Sequence, residues 1–167
     1  MGDFSIGVIM PWLSYFDNRQ LDDTYFMLLD NLVYHSIKYG VKISCPVGFI
    51  SDGPSVPRVP LLYLLFGHRG KRAGVVHDWL YRNTLFVRSI CDDIYREALS
   101  DSGKNAVTSN GMFAGVRVGG KSSFSGKKAG CLDPRDGACQ GRISCNNCPN
   151  YFPEYRLTVS PYSPFKR

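Results

Sequence analysis

His77, Asp78, Asp92 and Asp93 lie within seventeen residues of one another, in the stretch Gly74–Leu99. Histidine exchanges protons near neutral pH, and a carboxylate beside it fixes its tautomer and raises its basicity. Residues 71–84 and 87–101 carry helical spacing, the second with Ile90, Ile94, Ala98 and Leu99 on one apolar stripe. The turn between them falls near Asn83–Val87. His77 lies six residues before that turn and Asp92 five after it, so an antiparallel hairpin sets Asp92 or Asp93 level with the imidazole. A dyad of His77 and Asp92 in that position would activate a water molecule. On the adjacent side, Asp78 and Asp52 form a candidate cation site, with backbone carbonyls of the Gly48–Gly53 loop around a calcium ion. The competing reading is a scaffold, with His77 buried and hydrogen-bonded and Asp78–Arg82 a salt bridge along one helix.

A second cluster of reactive side chains lies downstream. Cys131, Cys139, Cys145 and Cys148 fall within eighteen residues, in a segment with little apolar content, so the segment needs a staple to fold. A tetrahedral zinc ion held by four thiolates, a [4Fe–4S] cluster and a pair of disulfides all suit this spacing. Cys148-Pro149 echoes the closing ligand of ferredoxin-like runs. Cys45 and Cys91 stand apart and read as buried thiols.

The elements that must position these groups follow from pattern. Residues 4–10, 24–37 and 40–50 are rich in aromatic and β-branched residues between turn signals, which predicts strands. Leu61–Phe66 reads as a short apolar helix or turn. Asn105–Val118 reads as a third helix whose Met112, Phe113 and Val116 pack back on the hairpin. Residues 119–130 form a Gly/Ser/Lys linker between a domain at 1–118 and the Cys-rich knuckle at 131–149. Residues 150–167 form an extended arm bearing Tyr151, Phe152, Tyr155, Tyr162 and Phe165. The expected fold class is α+β: a small, mostly antiparallel sheet with a helical hairpin, a metal-stapled knuckle and that arm.

Charge is divided unevenly. Residues 1–103 hold ten basic and eleven acidic side chains, whereas residues 104–167 hold ten and three, a local excess of +7. Such a basic third suits an acidic partner, a nucleic acid or a membrane surface, and the competing reading is a solvated surface that only aids solubility. No arginine-rich run or aromatic RNA-binding motif favours nucleic acid. No apolar run approaches the ~20 residues that span a bilayer, and the first residues make a poor secretory signal. Folding in a cytoplasm is the expectation.

The motifs Gly48–Arg58 (GFISDGPSVPR), Ala73–Arg82 (AGVVHDWLYR), the run Arg88–Leu99 and Met112–Lys121 (MFAGVRVGGK) resemble a phage and prophage family known as a domain of unknown function, number 1353. That family's pattern is a Gly-Phe-x-Thr-Asp-Gly-Ala-Ser-x-Pro-Arg loop, a His-Asp-x-Leu-Tyr helix and an Ala-Asp-x-x-Phe helix. The resemblance covers about residues 25–121; Ser51, Pro54 and Cys91 stand where the family has Thr, Ala and Ala. It implies a bacteriophage protein: a virion component of the tail, baseplate or tail tip, assembled in the host cytoplasm beside other tail subunits.

A looser similarity bears on mechanism. His77-Asp78-x-x-Tyr81 with Asp92-x-x-Tyr95 is similar to the helix hairpin of phospholipase A2-like domains in parvovirus capsids. There the histidine activates water, the aspartate of the second helix orients it, and the aspartate beside the histidine helps hold calcium. Carried over, His77, Asp92 and Asp78 take those roles, in an enzyme acting on lipid or envelope. An HD-type phosphohydrolase fits less well, because His35 and His68 lie outside any matching motif.

Overall fold

The computed structural model describes residues 10–53, 70–84, 86–121 and 124. The expected strand at 4–10 (all but Met10), the turn at Leu61–Phe66, most of the linker, the four-cysteine knuckle and the arm lie outside these residues.

Among the described residues, five short strands and three helices follow in order: β1 (Asn18–Gln20), β2 (Phe26–Leu28), β3 (Leu32–Ser36), β4 (Val41–Cys45), β5 (Ile50–Ser51), α1 (Lys71–Asn83), α2 (Arg88–Asp101) and α3 (Ala106–Gly119). The class is α+β, and among the described residues every pairing is antiparallel. The strands make two small sheets instead of one, β1-β2-β5 and β3-β4. The stretch 24–37, expected as one strand, breaks at Asp30–Asn31. Asp30 accepts the Asn31 amide at 2.6 Å and Asn31 Oδ1 accepts the Val47 amide at 2.9 Å, so these side chains build a turn. β1 is polar and escaped notice as a strand; its place comes from pairing with β2 rather than from its own propensity.

In β3 and β4 a period of two decides which side chains enter the core. Leu32, Tyr34 and Ser36 face inward opposite Cys45, Ile43 and Val41, and all six are buried. This hairpin packs on α1 and α2. Helix α1 is buried almost all round, by Ala73, Val75, Val76, Trp79, Leu80 and Tyr81, as expected of a helix enclosed on several sides. The Trp79 and Phe49 rings meet edge to face at 5.1 Å. On α2, Ile94, Ala98 and Leu99 are buried and Ile90 is partly so, as the stripe predicted. Helix α3 begins where Asn105 Oδ1 accepts the Thr108 amide at 2.8 Å, an N-cap, and it buries Met112 and Val116.

Candidate functional site

The hairpin of α1 and α2 brings His77 to Asp92, with His77 Nε2 3.1 Å from Asp92 Oδ1. Asp93, the other candidate partner, turns away. It accepts from Lys38 Nζ and from the Tyr39 hydroxyl, each at 2.8 Å. With Glu97 and Asp101 it forms a row at every fourth residue of α2. Glu97 accepts from the Ser36 hydroxyl and the Lys38 amide, and Asp101 from the Tyr34 hydroxyl. That carboxylate row fastens α2 to the β3–β4 hairpin.

Asp92 is fully buried and is surrounded by donors from all three helices. The Tyr81 hydroxyl donates to the same oxygen that faces His77. The other oxygen receives Arg117 Nη1 at 3.0 Å and has Arg88 Nε at 3.7 Å. Burial by itself would raise the Asp92 carboxyl; the bonds from His77, Tyr81 and Arg117 outweigh it and hold the group below its ordinary range. An ionised Asp92 only accepts, so the proton between it and His77 sits on Nε2. Burial is also the main influence on His77 and pushes it down, past the opposing pull of Asp92, so the ring is neutral at pH 7. Tyr81 and Tyr95 flank that ring at centroid distances of 4.0 and 4.7 Å, and the residue is 4% exposed.

Sequence reasoning missed Arg88 and Arg117 as members of this site, and gave Tyr81, which stands in the His77 motif, no bond to Asp92. Arg88 stands four residues before Asp92, a spacing that was legible. It also donates through Nη2 to the carbonyls of Val116 (2.7 Å) and Arg117, in the last turn of α3. A cation there satisfies open helix carbonyls and interacts favourably with the negative end of the helix dipole. Nothing in the local pattern marks Arg117, twenty-five residues from Asp92. Gly120 follows the same helix, and a Cβ there would sit 2.8 Å from the Tyr81 hydroxyl oxygen, so only glycine admits this approach without a shift.

The candidate cation site is also brought together. Ser51 donates its hydroxyl to Asp78 Oδ2 and accepts the Gly53 amide at 2.9 Å, and Asp52 faces Asp78 closely enough for the two carboxyls to interact. Burial first, and then the charge of Asp52, raises Asp78 well above the usual carboxylate range. The carbonyls of this loop have protein donors already: Phe49 O accepts the Leu28 amide at 3.0 Å and Ile50 O accepts Arg82 Nη2 at 3.0 Å. The folded protein therefore binds a proton at Asp78 that the unfolded chain has released. Between the unfolded carboxyl value, about 4, and the raised folded value, stability falls as pH rises, and it stays at the lower level above. Asp78→Asn should then be more stable than the parent at about pH 7 and should flatten this slope. Urea unfolding at about pH 4 and pH 7 measures both; a variant no more stable than the parent at neutral pH would show that the charge is needed.

What the fold and site define is an α+β domain whose three helices close on one buried, ionised carboxylate. The chain belongs to the family described as a protein of unknown function (DUF1353), whose model matches residues 26–116. The matched span contains the Ser51–Asp52 loop, the whole hairpin and most of α3. Neither a search of curated proteins nor one of solved structures found a match. Among the described residues no helix is long and apolar enough to cross a membrane, and no group of three or more His, Cys, Asp or Glu side chains is placed to hold a metal ion.

Proposed function

We propose that this protein is a structural subunit of a bacteriophage particle, a tail, baseplate or tail-tip component that makes fixed contacts with neighbouring subunits. The observation that carries this reading is the state of the dyad. Asp92 is encircled by His77, Tyr81, Arg88 and Arg117, and His77 is buried between two tyrosine rings. An acid–base pair that works on substrate must reach it within hydrogen-bond distance. This one is committed to joining three helices, which suits a rigid building block. Residues 131–148 act as a second, separately stapled unit, in which Cys131, Cys139, Cys145 and Cys148 hold zinc or a [4Fe–4S] cluster. Metal analysis and an absorption spectrum of protein purified without oxygen separate the two. Residues 150–167 place five aromatic side chains on a neighbour, at ~1.5–3 kcal/mol for each large apolar side chain buried. Deleting them should abolish incorporation into particles while leaving the thermal stability of the domain unchanged. Normal incorporation of the truncated chain would refute the reading.

One observation favours the hydrolase alternative: His77 and Asp92 do meet across the hairpin, with Asp78 beside them. In that case His77→Asn keeps the fold and lowers calcium-dependent lipid hydrolysis by ~10²-fold or more. The structural reading expects the variant to lose ~1–3 kcal/mol of stability, the scale of a buried polar group left without its partner. It also expects no calcium-dependent hydrolysis in the parent.

A further inference from the structure

The surface of the β1–β2 hairpin is the acidic counterpart of the basic C-terminal segment. Residues 17–30 carry Asp17, Asp22, Asp23 and Asp30 against Arg19, a net of −3, and all four aspartates are exposed; Lys71, whose Nζ lies 3.4 Å from Gln20 Oε1, leaves the face still acidic at −2. The Asp22 carboxylate caps the turn, accepting the amides of Thr24 and Tyr25 at 2.8 Å. The others project from its two ends, Asp17 and Asp30 at one and Asp23 at the other; the Leu29 amide bonds to Asp17 O at 3.1 Å. Large apolar side chains stand out from the same end, with Tyr15 94% and Leu29 43% exposed. Among the described residues β1 pairs only with β2 and forms the edge of its sheet, the kind of element to which a further strand adds.

The segment that follows Phe124 is suited to this surface. Residues 125–167 carry seven basic and three acidic side chains, a net of +4, together with five aromatics. Arg156–Ser160 includes Leu157, Thr158 and Val159, residue types that add readily to a sheet edge. Even with residues 131–148 held compact, the other 25 of these 43 residues reach far beyond one domain of this size at ~3.3 Å per extended residue. Phe124, the last described residue, is anchored on the ring of Tyr81 at 5.1 Å, so the segment leaves from the helical side of the molecule.

We propose that residues 125–167 of one copy dock on the acidic β1–β2 hairpin of a second copy, in a head-to-tail contact. The proposal rests on the assembly reading above and names the partner for its arm. A heterologous contact of this kind repeats from copy to copy, forming rings or open chains. Opposite charge steers the encounter, and the aromatic side chains and the strand edge supply the contact area.

Two full-length charge-reversed chains test it. One carries Asp17→Lys with Asp23→Lys; the other carries Lys127→Glu, Lys128→Glu, Lys166→Glu and Arg167→Glu. Sedimentation velocity should show the parent associating at low salt and weakening by about tenfold or more near 0.5 M salt, where charges are screened. Each variant alone should be monomeric with an unchanged circular dichroism spectrum. Mixed, they should form a 1:1 complex, because the first retains a basic tail and the second an acidic face. A parent that is monomeric at low salt, self-association that survives Asp17→Lys with Asp23→Lys, or the absence of a complex on mixing each overturns the proposal, the last by leaving the tail on its own domain. Failure of the particle reading shows elsewhere, as normal incorporation of the chain lacking residues 150–167.

Discussion

Asp92→Ala should destabilise the domain by about 3 kcal/mol, among the largest effects of any single substitution in the hairpin. The carboxylate is wholly buried and faces four donors, so its removal leaves the His77 ring nitrogen and the Tyr81 hydroxyl without an acceptor in the core. Loss of one partner from a buried charge network costs ~3–5 kcal/mol. The lower end applies because Arg117, 45% exposed, turns to water when abandoned, while Arg88 keeps its bonds to the Val116 and Arg117 carbonyls. A domain of this size moves by ~4–8 °C in Tm per kcal/mol, so a drop of more than about 10 °C is expected. The effect also carries a pH signature. The Asp92 carboxyl lies below its ordinary range in the fold, so its contribution is complete above the unfolded value, about 4, and disappears as pH falls through the folded value. The gap between parent and variant should therefore close in acid. A Tm within ~2 °C of the parent at neutral pH would show that Asp92 does not hold the helices together.

Gly70→Ala should cost about 3 kcal/mol for an unrelated reason. Gly70 opens α1 at φ +87°, a left-handed conformation that disfavours any side chain by ~1–2 kcal/mol. A Cβ there would stand 2.6 Å from Leu99 Cδ2 and 3.4 Å from Met112 Cε, and Leu99 is fully buried. Moving those side chains adds the ~1–3 kcal/mol typical of an overfilled core. Gly103→Ala isolates the first contribution: its φ is +76°, yet a Cβ there meets nothing within 4 Å. Urea unfolding of the two variants should separate them by at least ~1 kcal/mol. Equal losses would mean that Leu99 and Met112 yield without cost.

The same substitutions mark where local pattern stops being informative. The apolar stripe of α2, the Asn105 cap and the alternation in β3 and β4 could all be read from neighbouring residues, because each depends on one helical turn or one strand. The level meeting of His77 with the Asp92–Asp93 pair was likewise legible, since a short turn between two helices leaves their relative register little choice. Gly70 gave no such signal. Beyond its left-handed backbone, its requirement for glycine comes from Leu99 and Met112, on two other helices.

Unaided, the sequence determined that helices follow a set of mostly antiparallel strands, that two of the helices form a hairpin, and that His77 comes level with Asp92 or Asp93. Tertiary structure alone decided what those groups do. Successive helical residues are rotated by about 100°, so Asp92 and Asp93, adjacent in the chain, serve different neighbours: one the buried meeting point of three helices, the other the β3–β4 hairpin. The Asp92 partners Arg117 and Tyr81 lie on other helices, and the Asp93 partners Lys38 and Tyr39 on another part of the chain altogether. Whether a histidine beside an aspartate is a base or a brace depends on which donors the packed helices bring to the carboxylate, and no spacing along one helix encodes that.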